Sequence, residues 1–159
     1  ISKLEINKIF DKGDNMIKIY TVAGCSSSQK AKKWLVDNGV DFQEINLLTD
    51  DIKKEDFLEI LALTENGTEE IISKRSRAYQ SLSLDLERFS LNTLVTIMKE
   101  NRSILRRPLI LDDKRLQIGY NDDDIRKFLP RPVREVRLSD ISRKVRDIVL
   151  ERDFHIHAS

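Results

Sequence analysis

The chain has 159 residues and a mass of 18.5 kDa, enough for one domain with its own hydrophobic core and no need of a disulfide or metal to hold it. Its 28 basic and 27 acidic residues leave a net charge of +1, without the strong field of a protein built for naked DNA or membrane surfaces. A single cysteine excludes an intrachain disulfide and a multi-thiolate zinc site.

The charge is unevenly placed. From Asn101 onward there are 14 basic and 10 acidic residues, and 11 of those cations are arginines, the side chain suited to bidentate anion contacts. No apolar run reaches the roughly 20 residues of a membrane span. The opening Ile1-Ser2-Lys3-Leu4-Glu5 lacks a leader pattern, so a cytoplasmic protein with no membrane partner is expected.

Residues 1–15 differ in character from the rest of the chain. Lys12-Gly13-Asp14, encodable as AAAGGAGAT, resembles a translated ribosome-binding sequence just ahead of Met16. The segment reads as an upstream-derived or appended arm, expected to be disordered, with a native arm as the alternative.

From Met16 the pattern is strand, helix, strand, helix. Met16–Val22 is β-branched and aromatic, a short buried strand. A Gly24–Ser28 turn leads into a helix over about 27–38, with Ala31, Trp34 and Leu35 at i, i+3, i+4 and Gly39 as its terminator. Val40–Ile45 alternates as a second strand, expected to lie parallel to the first. Thr49-Asp50-Asp51 caps the next helix, which shows Phe57, Ile60 and Leu61 and breaks at Asn66-Gly67. Thr68–Gln80 carries one short helical pattern, and Leu91, Leu94, Val95 and Met98 define a firmer helix. Arg107–Leu111 and Leu116–Gly119 form a hairpin around Asp112-Asp113-Lys114. Asp122-Asp123-Asp124 opens a further helix; helix capping explains this triplet better than cation binding. Ile141, Val145, Ile148 and Val149 mark a last helix over about 138–152.

Cys25 is the reactive candidate. A lone cysteine is most often a small buried hydrophobe. Here it sits where a strand ends and a helix begins, so free N–H groups and the helix dipole favour a thiolate, and Ser26, Ser27 and Ser28 add hydroxyl donors. The same geometry binds oxyanions. Arg106-Arg107-Pro108 is the second candidate. Two arginines before a strand ordinarily form a solvated rim, but if that strand lies beside the Cys25 turn, Arg107 can stabilise the thiolate or hold an anion over it. His155 and His157 read as tail histidines rather than as a metal site, and no cofactor is expected.

Several stretches together resemble the ArsC/Spx family: Cys25-Ser26-Ser27-Ser28 in its strand–helix context, Thr64–Ser73, Leu105–Ile110, Lys114–Tyr120 and Ile125–Arg131. The resemblance runs from Met16 to about Arg134. It implies an α/β, thioredoxin-like mixed sheet flanked by helices, with a helical insertion at about 50–101 and a C-terminal helix and tail over 135–159. In its regulatory branch it implies no catalysis. The partner implied is the C-terminal domain of the RNA polymerase α subunit, with transcription redirected under thiol stress and promoter DNA reached only through the polymerase. The resemblance makes Gly67 part of the α-binding surface, where a bulky side chain would block docking, and makes Arg75 and Arg77 candidates to face DNA, a solvated helix face being their alternative. It assigns Arg107, with Pro108, to the redox turn.

Two departures stand out. The family typically carries Cys-x-x-Cys, whereas Ser28 stands where the second cysteine belongs, so the disulfide switch is absent; the chain reads as a natural single-cysteine paralogue, as a Cys-to-Ser change that locks a reduced-like state, or as a form sensed through Cys25 alone, as a sulfenic acid or mixed disulfide. Family members commonly end in a small tail read by the Clp protease machinery, whereas this chain ends His155-Ile156-His157-Ala158-Ser159. The competing function is a glutathione- and glutaredoxin-coupled arsenate reductase, with Cys25 as nucleophile and Arg75 and Arg107 on the oxyanion.

Overall fold

The apolar character of Ile17–Thr21 on both of its faces marks a strand covered from both sides. The computed structural model describes residues 16–130 together with Arg143, Val145, Arg146 and Val149, four helical positions. The expected arm at 1–15, most of the expected C-terminal helix and tail, and both histidines lie outside the described residues.

Strand β1 (Ile17–Thr21) is followed by helix α1 (Ser26–Asp37) and strand β2 (Phe42–Asn46). Four helices come next: α2 (Lys54–Ala62), α3 (Thr68–Ile71), α4 (Arg77–Leu82) and α5 (Leu91–Glu100). Two 3₁₀ turns, Leu86–Arg88 and Arg102–Ile104, flank α5. The hairpin strands β3 (Leu109–Leu111) and β4 (Leu116–Ile118) and a 3₁₀ segment, Asp124–Phe128, complete the order.

The sheet runs β2-β1-β3-β4. The β1–β2 pair is parallel, as expected, and the other pairs are antiparallel. Tyr20 lies opposite Ile45 on one side and Leu109 on the other. Period-2 alternation then divides the core. Ile17, Ile19 and Ile110 pack with Ala31 and Leu35 of α1 and with Ile125 and Phe128. Tyr20, Leu109 and Leu111 face the helices between β2 and β3, packing with Phe57, Ile60 and Met98. The sheet is therefore the middle of three layers. Among the described residues no helix is long and apolar enough to cross a membrane.

Three local expectations are corrected. Helix α2 starts at Lys54, because the Asp56 carboxylate reaches back to the Lys53 N–H at 2.9 Å, while Asp50 is drawn away to the Asn46 N–H at 2.6 Å. The pattern over Thr68–Gln80 is two helices, not one. Between them Ile72 forms an antiparallel bridge with Leu105, flanked by bonds from Arg106 N–H to the Ile71 carbonyl and from Ser73 N–H to the Ile104 carbonyl, each 2.8 Å. The Asp122–Asp124 triplet does not cap its segment. The Asn121 side-chain oxygen takes the N–H groups of Asp123 (2.8 Å) and Asp124 (3.1 Å), and Asp122 accepts from the Tyr120 hydroxyl instead.

Ile110 sits at the centre of the sheet, fully buried against α1. Ile110→Ala is expected to lower stability by about 2–5 kcal/mol in urea unfolding, whereas Val36→Ala on the exposed face of α1 stays within about 0.5 kcal/mol of the parent.

Candidate functional site around Cys25 and Arg107

After β1 the chain turns at Gly24, whose φ of +78° lies in the left-handed region that glycine adopts without a steric penalty. The Cys25 N–H closes this turn onto the Val22 carbonyl at 3.1 Å, and Cys25 becomes the N-cap residue of α1, its own carbonyl accepting from the Gln29 N–H. Its half-buried thiol meets the open end of the helix. No acidic residue lies in the first turn of α1 to oppose a negative sulfur.

Burial pushes the Cys25 thiol up. That effect is outweighed by hydrogen bonds from the Ser28 hydroxyl and from the Ser28 and Ser27 N–H groups, and by the positive charge of Arg107, so the thiol lies below its ordinary value. Ser28 is only 1% exposed, and its oxygen also accepts from the Val22 N–H at 3.4 Å. It therefore ties the end of β1 to the sulfur.

Arg107 arrives from the neighbouring strand. With Tyr20 opposite Leu109, the antiparallel β1–β3 register carries Arg107 and Pro108 to the end of the sheet where the Cys25 turn begins. The Arg107–Pro108 peptide is cis, Pro108 is buried, and the Gly119 N–H holds the Pro108 carbonyl at 2.8 Å. The strand that carries Pro108 thus lies beside the Cys25 turn, with Ser28 and Arg107 acting on the thiol.

Arg107 also lines an open groove of about 920 Å³ together with Lys74, Arg75, Arg106 and the hydroxyl-bearing Ser73 and Ser103. Four cations there face one carboxylate, Glu69, which pairs with Lys74 at 2.7 Å. Arg75 is on the groove wall; Arg77, the first residue of α4, is exposed but does not line it. Lys74 and Ser103 gave no sequence signal, because the groove closes only through the Ile72–Leu105 bridge. Gly67 stands apart, before α3, with φ +77° and ψ −146°, a conformation almost confined to glycine. A Cβ built there meets nothing within 4 Å, so a side chain would project into open space.

A thiol at a helix N-terminus, within a four-stranded mixed sheet flanked by helices, is the arrangement of a thioredoxin-like α/β protein. The chain belongs to the ArsC family, whose family model matches residues 20–128. It is 51% identical over 123 residues to the global transcriptional regulator Spx of Lactiplantibacillus plantarum, covering 77% of this chain and 93% of that protein. It is 45% identical over 130 residues to Spx of Staphylococcus epidermidis, covering 82% and 99% respectively. Among solved structures, an ArsC family related protein from Bacteroides fragilis superposes with a TM-score of 0.64 at 19% identity, over 74% of this chain and all of that one. An arsenate reductase from Vibrio cholerae superposes at 0.62 with 21% identity over the same shares. These two likenesses concern the fold.

The alkylation rate of Cys25 against pH is expected to reach its half-maximum below that of an unfolded-chain cysteine. Arg107→Ala and Ser28→Ala should each move that midpoint up, because each removes a group that favours the thiolate. A lowered folded-state value means that ionisation stabilises the fold at alkaline pH and that this contribution is lost as the pH falls through the native titration. A midpoint unmoved by both variants would contradict the electrostatics described.

Proposed function

We propose that this chain is a transcriptional regulator that docks on the C-terminal domain of the RNA polymerase α subunit and redirects transcription under thiol stress. The observation that carries the reading is the near-complete coverage, 93% and 99%, of two relatives named as global transcriptional regulators. Three observations support it. Gly67 offers a side-chain-free backbone with open space before it, the surface a partner can approach closely. The cationic groove carrying Arg75, Arg106 and Arg107, with exposed Arg77 nearby in sequence, suits phosphate contacts. The net charge of the whole chain is only +1, so binding to DNA alone stays weak and gains from the high effective concentration that docking on polymerase supplies.

Ser28 places the switch in one state. A hydroxyl forms no disulfide, so Cys25 retains its thiol except when it becomes a sulfenic acid or a mixed disulfide with another thiol. A second reading, an arsenate reductase-like enzyme, is favoured by one feature: a thiol lowered by the Ser28 hydroxyl, by the Ser28 and Ser27 N–H groups and by Arg107, which itself lines an anion-suited groove. It differs in outcome. The enzyme turns over arsenate with glutathione and glutaredoxin in a Cys25-dependent way; the regulator does not require that turnover.

Purified α C-terminal domain is expected to bind the reduced protein in calorimetry. Gly67→Arg should abolish binding, partly through the backbone it strains, and Asn66→Trp, in the same exposed loop without that strain, should weaken it by steric conflict alone. Absence of α binding in reduced and oxidised buffers, with Cys25-dependent arsenate turnover, would reverse the assignment. In the complex with polymerase and promoter DNA, Arg75→Glu should weaken retention across unrelated sequences and reduce the salt slope by about one counterion.

A further inference from the structure

Away from the Cys25 site, Lys127 is held on a neutral oxygen rather than on a carboxylate. Its Nζ donates to the Leu116 carbonyl at 2.9 Å and stands 5.6 Å from the centre of the Phe128 ring. The side chain is half-buried. Arg115, whose Nη1 donates to the Lys127 carbonyl, brings a second cation to the same place and keeps 37% of its side chain exposed. Two elements meet here. The β3–β4 hairpin supplies Arg115 and Leu116, and the 3₁₀ segment Asp124–Phe128 supplies the lysine. Ile125 and Phe128 anchor that segment against α1, so the core fixes where the amine sits.

The charges acting on the amine come from both elements. Asp124, on its own segment, attracts the ammonium, and so does Asp112, just after β3. Asp112 is engaged elsewhere: its Oδ1 accepts from the N–H groups of Lys114 (2.8 Å) and Arg115 (2.7 Å), and its Oδ2 lies 4.0 Å from the Arg115 Nε. Arg115 repels the ammonium. Burial is the largest influence, and with Arg115 it outweighs both carboxylates, so Lys127 gives up its proton more readily than an ordinary lysine. A partly desolvated lysine beside another cation is the environment that activates an amine nucleophile. In the free-base form one N–H still donates to the Leu116 carbonyl, and the lone pair is left for attack.

We propose that Lys127 is a site of spontaneous acylation by acyl phosphates, with Arg115 holding the phosphate end of the reagent. The guanidinium spends one N–H on the Lys127 carbonyl and has others for phosphate oxygens. The Lys127 amine attacks the acyl carbon, and the C–N bond forms as the bond from that carbon to the phosphate oxygen breaks. Inorganic phosphate leaves with the electron pair, and the proton lost from nitrogen passes to water. No oxidant, reductant or second protein is required. The product is a neutral amide that can still donate its N–H to the Leu116 carbonyl and no longer repels Arg115. Neither Lys127 nor Arg115 lines the groove beside Arg107, so this chemistry is independent of the regulatory reading.

The test is incubation of the full chain with acetyl phosphate at neutral pH, with the occupancy of each lysine followed by peptide mass spectrometry. Lys127 is expected to be acetylated faster than Lys33, exposed on α1, and faster than Lys114, the exposed neighbour of Arg115. Arg115→Ala should slow acetylation of Lys127 by acetyl phosphate about threefold to fivefold, the size of one partly exposed charge contact. It should slow the reaction less with the N-hydroxysuccinimide ester of acetic acid, which has no phosphate to hold. Excess inorganic phosphate, competing for Arg115 on the unaltered chain, should slow acetyl phosphate and not the ester, a readout that needs no variant to fold. Asp124→Asn, an exposed change, should speed both reagents, because a carboxylate that keeps the proton on Lys127 is gone. The proposal is overturned if Lys127 reacts no faster than Lys33 and Lys114, if Asp124→Asn slows it, or if neither Arg115→Ala nor inorganic phosphate distinguishes acetyl phosphate from the ester.

Discussion

The pairing of β1 with β3 is the constraint on which the rest of the molecule depends. It sets Tyr20 against Leu109 and Ile19 against Ile110, and so decides which side chains enter each half of the core. A slip of one residue would turn Ile110 away from α1 and push Leu109 and Leu111 toward it, exchanging the faces of a strand that is fully buried. The same register brings Arg107 to the Cys25 turn. Core packing and thiol chemistry are thus fixed by one ladder of hydrogen bonds, and the burial of Ile19, Tyr20, Leu109 and Ile110 is what holds Arg107 beside the sulfur.

Ser28 links the same two concerns at smaller scale. Its hydroxyl accepts from the Val22 N–H at the end of β1 and donates to the Cys25 sulfur. A buried polar side chain at the start of a helix would otherwise be a cost, and these bonds satisfy it. A thiol at this position would be a weaker donor. Serine therefore makes the environment of Cys25 more favourable to a thiolate while removing the partner with which that thiolate could close a disulfide.

Much of this was legible in the order of residues, and the reasons are local. β1, α1 and α5 carry strong periodicity, and Cys25 at a strand–helix junction announces its exposure to backbone N–H groups. Gly67 after Asn66 signals a break, although not that its φ is positive with open space beyond. What stayed hidden depends on distant partners. Ile72 reads as part of a helical pattern until Leu105 pairs with it. The start of α2 at Lys54 turns on a competition in which Asp50 goes to Asn46 and Asp56 to Lys53. The groove draws on segments near 74, 103 and 107, and no one of them is unusual alone. The acidic cavity beside Tyr20, walled by Asp50, Asp51 and Asp56, is likewise invisible in a strand that looks simply apolar.

Two concave features among the described residues have opposite signs, and that division bears on the electrostatic character of a near-neutral chain. A net charge of +1 steers nothing at long range. Within a Debye length of about 8–10 Å, however, only neighbouring charges are felt. There the arginines around Arg107 present a positive wall and the aspartates around Tyr20 a negative one. Such a surface selects orientation rather than affinity: a polyanion is accepted on one side and repelled on the other. Proposed docking at Gly67 then needs only to bring the groove within reach of DNA.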